Sequence, residues 1–246
     1  MTDKKKYSRI RAELFAGLMP ALVLACSLGL RRPVQEVPVV GGVPETSQDD
    51  PAQQADTGAE QAPQIALTFD DGPHSVYTPR LLDGLKERGI PATFFVLGEN
   101  IEGNEELLER MNQEGHLIGN HTYHHVKLDS LQHDTAVEEI QKTSMLVEKI
   151  TGQGTEFIRP PFGIWNKTLE YDVTMLPALW NIDTRDWTTK NVPVTVEKVM
   201  DGAADQGIIL FHDCYASSVE AALRAVDLLL EQGYEFVTVD QIILPP

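Results

Sequence analysis

The sequence predicts an α/β domain built as a closed or nearly closed β/α barrel, and two observations support this fold class. Short apolar, strand-like runs alternate with helix-like segments from residue 65 onward, in roughly seven units. The runs are apolar at consecutive positions, as in Ile65–Phe69, which is typical of parallel strands buried on both faces. An open doubly wound sheet is the alternative, although the chain contains no Gly-rich phosphate loop of the GxGxxG type.

The individual elements follow from runs of apolar residues and from the residues that begin and end helices. Predicted strands lie at 65–69, 92–97, 116–119, 157–158, 178–182, 208–211 and 235–239. Predicted helices lie at 78–88, 104–111, 134–151, 167–171, 194–204 and 218–231. Thr78, Asn104, Asp134 and Ser218 are the predicted N-caps, because their side chains can accept hydrogen bonds from free helix amides. Gly89 and Gly152 are expected to end two of these helices.

Length and charge limit the class of protein. A chain of 246 residues with 42% hydrophobic residues fits one or two globular domains at about 150 residues each. Its formal net charge of -17 would repel a phosphate backbone, so we expect no nucleic-acid partner. The two cysteines, Cys26 and Cys214, are too few for a disulfide framework.

Residues 1–32 are predicted to be a targeting segment. Basic residues precede an uncharged run, Leu14–Ala25, which has the length of a secretory signal core. Val23–Cys26 resembles the lipobox of bacterial lipoproteins, with Cys26 as the lipid-modified residue. The uncharged stretch continues to Leu30, and its 17 residues reach the lower limit of a membrane-spanning helix. A lipoprotein signal and an uncleaved membrane anchor both stay open, and a buried core helix is a third alternative.

Residues 33–64 are predicted to be a disordered linker. They contain six acidic residues, five prolines, no basic residue and no aromatic residue, so they cannot bury enough apolar surface to fold. Residues 65–246 then form one acidic domain. We expect this domain to lie outside the cytoplasmic membrane, tethered to the cell envelope by lipid or anchor, or else secreted.

Polar residues follow successive predicted strands at the point where each strand ends. They are Asp70 and Asp71, His121 and His125, Arg159, Asp186 and Trp187, and His212 and Asp213. A β/α barrel brings the carboxyl ends of its strands to one face, where active sites form. Residues spread over about 140 positions are therefore expected to meet in one site.

One carboxylate and two imidazoles in this group predict a metal site. Asp71, His121 and His125 would leave a fourth position open, which is typical of catalytic zinc. Such a ligand set also accepts Co, Mn or Ni. Asp70 lies beside Asp71, and the spacing leaves open which carboxylate binds metal and which takes a proton from water.

His212 is the candidate general acid, because imidazole titrates near neutral pH. A nearby carboxylate such as Asp186 would orient the ring of His212 and raise its pKa. Arg159 precedes two prolines and so lies in extended backbone. Its side chain is expected either to pair with a carboxylate of the site or to form an ordinary salt bridge. Cys214 is interpreted as a small, partly buried residue rather than a nucleophile.

Five segments resemble, in order, the five motifs of NodB-type polysaccharide deacetylases, also called carbohydrate esterase family four. The segments are 68–73 (TFDDGP), 120–125 (NHTYHH), 159–163 (RPPFG), 183–187 (DTRDW) and 210–212 (LFH). The likeness covers about residues 64–240. It implies a distorted (β/α)7 barrel and a metal-dependent hydrolase that removes N-acetyl, sometimes O-acetyl, groups from sugars.

The resemblance also implies a role for each matching residue. Asp70 would be the catalytic base, and Asp71, His121 and His125 the metal ligands. Arg159 would steady Asp70, and His212 would be the acid tuned by Asp186. The backbone N–H of Phe162, which stands where the family usually has tyrosine, would help bind the oxyanion. The substrate pocket would be lined by Trp187, Leu210 and Pro161.

The predicted function is therefore removal of N-acetyl groups from an amino-sugar polysaccharide outside the cytoplasm. The predicted tether favours peptidoglycan, and chitin oligomers or poly-N-acetylglucosamine are the other candidate substrates. One alternative is an amidohydrolase-like protein acting on a small non-sugar amide. Another is a catalytically silent glycan-binding module. We expect a monomer.

Overall fold

The computed structural model describes residues 61–244, and the predicted targeting segment and residues 33–60 of the predicted linker lie outside this range. The strands are β1 (Gln64–Asp70), β2 (Thr93–Val96), β3 (Leu117–Asn120), β4 (Phe157–Ile158), β5 (Leu176–Pro177), β6 (Ile182–Asp183), β7 (Gly207–His212) and β8 (Glu235–Val237). The helices are α1 (Tyr77–Arg88), α2 (Gly98–Ile101), α3 (Glu105–Gln113), α4 (His133–Thr151), α5 (Asp186–Thr189), α6 (Val192–Gly202), α7 (Ala216–Glu231) and α8 (Val239–Ile243). Short 3-10 helices lie at Leu128–Ser130, Pro161–Gly163 and Lys167–Tyr171.

All strand pairs in this part of the chain are parallel, and their order is β5-β4-β3-β2-β1-β7-β6. One edge of β1 pairs with β7 along most of its length. The other edge pairs with β8 near its start and with β2 near its end. Within the described residues no ladder joins β5 to β6, so the barrel is distorted and open at that point. The predicted β/α barrel is confirmed in this distorted form.

The prediction of one strand at 178–182 is wrong, because the chain crosses there from a position beside β4 to a position beside β7. The Ala178 amide donates to Ile158 O at the edge of β4, whereas the Asn181 amide donates to Ile208 O beside β7. Two strands of two residues therefore replace one strand of five. Such short ladders depend on distant partners and leave little local pattern in the sequence.

Alternation along the central strands determines what faces the barrel interior. In β1, Ile65, Leu67 and Phe69 pack into the main hydrophobic core with α1 and α7. Because successive side chains point to opposite faces, Thr68 and Asp70 face the interior instead. Both of these polar residues are buried. The alternation therefore places a carboxylate inside the barrel mouth, at the last residue of β1.

Most predicted helices are present, but their starts differ by one or two residues. Helix α1 begins at Tyr77, so Thr78 lies within it, and the Thr78 hydroxyl donates to Asp213 instead of capping. Ser218 likewise lies inside α7, and α4 begins one residue before Asp134. The sequence patterns did not predict α2, α5 or α8. None of the helices between residues 61 and 244 has the length and apolarity needed to cross a membrane.

Candidate active site

The polar residues of the site lie at the carboxyl ends of parallel strands, among them β1, β3, β4 and β7. Asp70 and His212 end β1 and β7 and are direct partners in the strand register. Likewise, His121 and Arg159 directly follow Asn120 and Ile158, which pair between β3 and β4. The predicted convergence is therefore present in the structure.

Asp71, His121 and His125 offer three ligand atoms that lie within 4.8 Å of one another. Asp71 Oδ1 is 3.5 Å from His121 Nε2 and 3.7 Å from His125 Nε2. Zinc bonds of ordinary length in a tetrahedral arrangement would place such atoms about 3.3 Å apart. Asp71 Oδ1 is also buried without a hydrogen-bond partner among the described residues. The geometry and the chemistry of these donors both fit a divalent cation.

The two imidazoles present the correct ring nitrogen to this site. His121 Nδ1 lies 2.6 Å from the backbone oxygen of Arg159, so Nδ1 carries the proton and Nε2 is free to bind metal. Burial, followed by the nearby His121, lowers the pKa of His125 below its usual value. A neutral imidazole is the form that coordinates metal.

The turn between His121 and His125 is hydrogen-bonded to residues of helix α4. His124, between them, donates its backbone N–H to one oxygen of Glu139, and its Nδ1 lies 2.8 Å from the other. The Asn120 side chain accepts from the Thr122 amide and donates to Ile140 O. Thr122 and His125 both have positive φ, of 66° and 53°. These contacts hold a backbone conformation that the residue types alone disfavour.

Arg159 is fully buried and pairs with a carboxylate of the site, which decides between its two predicted arrangements. Its Nη1 donates to Asp70 Oδ1 at 2.8 Å and to Thr68 Oγ1 at 2.6 Å. Its Nε and Nη2 donate to the carbonyls of Ala178 and Leu179, where the barrel is open. One oxygen of Asp70 is thus fixed. The other, Oδ2, lies 3.8 Å from His121 Nε2.

His212 and Asp186 form a second, largely buried pair, at the end of β7 and the start of α5. His212 Nδ1 lies 2.8 Å from Asp186 Oδ1, and the backbone N–H of His212 donates to Asp186 Oδ2. Burial opposes the charged imidazolium, but the hydrogen bond to Asp186 and its negative charge raise the pKa of His212 to about 9. His212 is therefore protonated at neutral pH and can donate a proton from Nε2.

One pocket of about 310 Å³ is lined by the three proposed metal ligands together with Asp70 and His212, whereas Arg159 and Asp186 lie behind Asp70 and His212 and do not line it. Of the predicted pocket residues, Trp187 and Leu210 line it, whereas Pro161 is buried and does not. Pro160 and Phe162, the predicted oxyanion donor, also line it. Phe162 has a φ of 61°, and its ring packs edge-on against His125 with centroids 4.8 Å apart. No hydrogen bond from the Phe162 amide is found within residues 61–244.

Three further lining residues, Trp180, Asp183 and Tyr215, had no predicted role in the site. Asp183 lies in the same family-like segment, 183–187, as Asp186. Its place in that segment could therefore have indicated a position in the site. Cys214 is adjacent to Tyr215, but burial raises the pKa of its thiol to about 12. The thiolate needed for a nucleophile is therefore disfavoured, in agreement with the sequence interpretation.

The parallel strands, with this ligand set and the two buried pairs at their carboxyl ends, define a barrel of the NodB type. The family model for polysaccharide deacetylases matches residues 57–178. The structure is similar to that of peptidoglycan deacetylase PdaC from Bacillus subtilis, with a TM-score of 0.72 and 41% identity, covering 74% of this chain and 90% of that one. This chain belongs to the polysaccharide deacetylase family.

Two curated relatives are named for peptidoglycan. Peptidoglycan-N-acetylmuramic acid deacetylase PdaC of Bacillus subtilis is 42% identical over 178 residues, which is 72% of this chain. Peptidoglycan-N-acetylglucosamine deacetylase PgdA of Listeria monocytogenes is 38% identical over 179 residues, which is 73% of this chain. In each case the match spans only 38% of the relative's length. The similarity therefore concerns one domain of longer proteins.

Proposed function

We propose that this chain hydrolyses the N-acetyl groups of peptidoglycan outside the cytoplasm, releasing acetate and leaving a free sugar amine. The observation that carries the proposal is the placement of Asp70 and His212 on the pocket that also contains the metal-ligand set. A base, an acid and a cation site are the three groups that metal-assisted hydrolysis of an amide by water uses. The names of the relatives support peptidoglycan as the substrate.

The cation site would be formed by Asp71, His121 and His125. A divalent ion held there, with zinc our first choice and Co, Mn or Ni as others, would polarise the amide carbonyl and acidify water. Asp71 supplies negative charge. Burial opposes its ionisation, but the nearby imidazoles of His121, His212 and His125 lower its pKa overall.

The proposed proton transfers use the two buried pairs. Asp70, with Oδ1 fixed by Arg159, would take a proton on Oδ2 from the attacking water. The water oxygen bonds to the carbonyl carbon, and the Phe162 N–H would donate to the oxyanion that develops. His212 would then protonate the sugar nitrogen as the carbon–nitrogen bond breaks. Trp187 and Leu210 would enclose the acetyl methyl group.

Acetate release across a panel of glycans, with and without chelator, tests this function. We expect release from peptidoglycan, loss of that release in excess EDTA, and recovery when a divalent metal is added back. An Asp71→Ala variant should not recover, because one ligand is missing. Release only from a small N-acetylated amine would indicate the amidohydrolase alternative. Glycan binding without acetate release under any metal would indicate the silent module.

The pH dependence of turnover tests His212 as the acid. An acid must be protonated to act, so turnover falls as the pH rises through the pKa of His212. Replacing Asp186 by asparagine removes the negative charge that raises this pKa. We expect the alkaline limb of the kcat profile to move to lower pH, toward the ordinary value of about 6.5. Asp183→Asn is the control, because Asp183 lines the pocket without contacting His212, and its limb should stay in place. Identical alkaline limbs in the parent and Asp186→Asn would exclude this role.

We also propose that residues 1–32 tether the domain to the membrane and that residues 33–60 of the predicted linker are a flexible spacer. The linker predicted from the sequence extends to residue 64, but Gln64 already belongs to β1. The domain that follows would act as a monomeric catalytic domain. The basic, then uncharged, sequence before Cys26 supports a membrane tether by lipid or anchor. Fractionation of cells expressing the full chain tests the tether, which is wrong if the protein is found only in the soluble fraction. In Cys26→Ala, loss from the membrane fraction would indicate lipid attachment, and retention would indicate an anchor.

A further inference from the structure

Lys190 is a cation that contacts a residue of the pocket and whose backbone is held by a hydrogen bond. Lys190 follows α5, has a φ of 46°, and donates its backbone N–H to Asp186 O at 3.0 Å. Asp186 is the residue that holds His212. The backbone of Lys190 is therefore hydrogen-bonded to Asp186, and the side chain of Asp186 is hydrogen-bonded to the proposed acid, His212.

The ammonium group of Lys190 is directed over a residue that lines the pocket. Lys190 Nζ lies 4.5 Å from the centroid of the Tyr215 ring, at a distance typical of a cation–π contact. Lys190 is exposed, and it forms no salt bridge with any residue between 61 and 244. The neighbouring Arg185, in contrast, has its Nε 3.5 Å from Asp183 Oδ2.

The pocket that Tyr215 lines is rich in carboxylates. Asp70, Asp71 and Asp183 line the pocket, and the chain as a whole has a formal net charge of -17. A negatively charged substrate would be repelled by such a surface unless a local cation compensated its charge. An exposed ammonium over the pocket residue Tyr215, without a carboxylate partner among residues 61–244, provides that compensation.

We propose that Lys190 binds a carboxylate on the glycan strand next to the sugar whose acetamide enters the pocket. This inference rests on the proposed function and assigns its substrate class as an acidic rather than a neutral amino-sugar polymer. A peptidoglycan strand offers the carboxylate in two places. One is the lactyl group of a muramic acid residue without its peptide, and the other is the stem peptide.

Steady-state kinetics of Lys190→Gln on three substrates test the inference. The substrates are strands stripped of peptide, strands with intact peptide, and neutral N-acetylglucosamine oligomers. For an exposed ion pair we expect KM to rise about two- to five-fold on carboxylate-bearing strands, with kcat unchanged. KM on the neutral oligomer should not change. The strand with the larger effect identifies the lactyl or the peptide carboxylate.

Two variants and one binding measurement serve as controls. Lys190→Arg keeps the positive charge and should keep the KM of the parent. Lys149→Gln removes an exposed lysine on α4, which contributes no residue to the pocket, and should change nothing. An unchanged KM in Lys190→Gln, or an equal rise on the neutral oligomer, would overturn the inference while leaving the proposed function intact. If no substrate releases acetate, the proposed function fails, and calorimetric Kd values for the stripped strands then decide on Lys190 alone.

Discussion

Replacing Asp70 by asparagine is expected to lower the rate of acetate release by about 10²- to 10⁴-fold, the usual contribution of a general base. Asparagine has the size of aspartate and can still accept the hydrogen bond from Arg159 Nη1, which is 2.8 Å long in the parent. It cannot take a proton from water. The measurement is the initial rate of acetate release together with the amount of metal bound per chain.

The neighbouring carboxylate provides a matched control for this variant. Asp71→Asn alters a residue of the same type one position away, but one that belongs to the proposed ligand set. We expect Asp71→Asn to lose metal affinity, whereas Asp70→Asn should bind as much metal as the parent. Full turnover in Asp70→Asn would remove Asp70 as the base. Loss of metal in that variant would show that the two carboxylates share one role.

Replacing Arg159 by methionine is expected to lower the free energy of unfolding by about 3–5 kcal/mol, the range for breaking a buried ion pair. The loss arises because Asp70 would remain buried without its cation. The oxygens of Thr68, Ala178 and Leu179 would each lose a donor as well. Urea unfolding followed by tryptophan fluorescence measures the change.

A partly exposed arginine shows how much of that loss is due to complete burial. Arg88 also makes a close ion pair, with its Nε 2.6 Å from Asp227 Oδ1, but this pair lies on the surface. Arg88→Met should cost at most about 1 kcal/mol. In addition, Asp70→Asn combined with Arg159→Met should cost less than the sum of the two single changes, because the pair is coupled. Additive losses would contradict the coupling, and equal losses in the two arginine variants would contradict the effect of burial.

The site could be predicted from sequence because its residues lie at strand ends. Apolar runs locate the strands β1, β3 and β7, and parallel topology then brings Asp70, His121 and His212 to one face. Spacing could not decide between Asp70 and Asp71, and it left the pairing of Arg159 open. Both choices depend on three-dimensional contacts, such as the bond from Arg159 to Asp70.

The errors in the predicted fold also come from distant contacts that leave no local pattern. Thr78 is a good capping residue by type, yet its hydroxyl bonds to Asp213, 135 positions away. The segment between β5 and β6 contains apolar residues in the manner of a strand. Its Ala178 and Leu179 carbonyls instead accept hydrogen bonds from the buried Arg159. In both cases a tertiary partner overrides the local preference.

Crystals grown with Zn²⁺ and measured at the zinc absorption edge provide the most direct test of the proposed metal site. The expected result is one anomalous peak at the pocket, about 2.0–2.2 Å from a carboxylate oxygen of Asp71 and from Nε2 of both His121 and His125. The same peak should be absent from crystals of His121→Ala. A peak bound by other residues, or a peak that persists in that variant, would contradict a site shared by these three side chains.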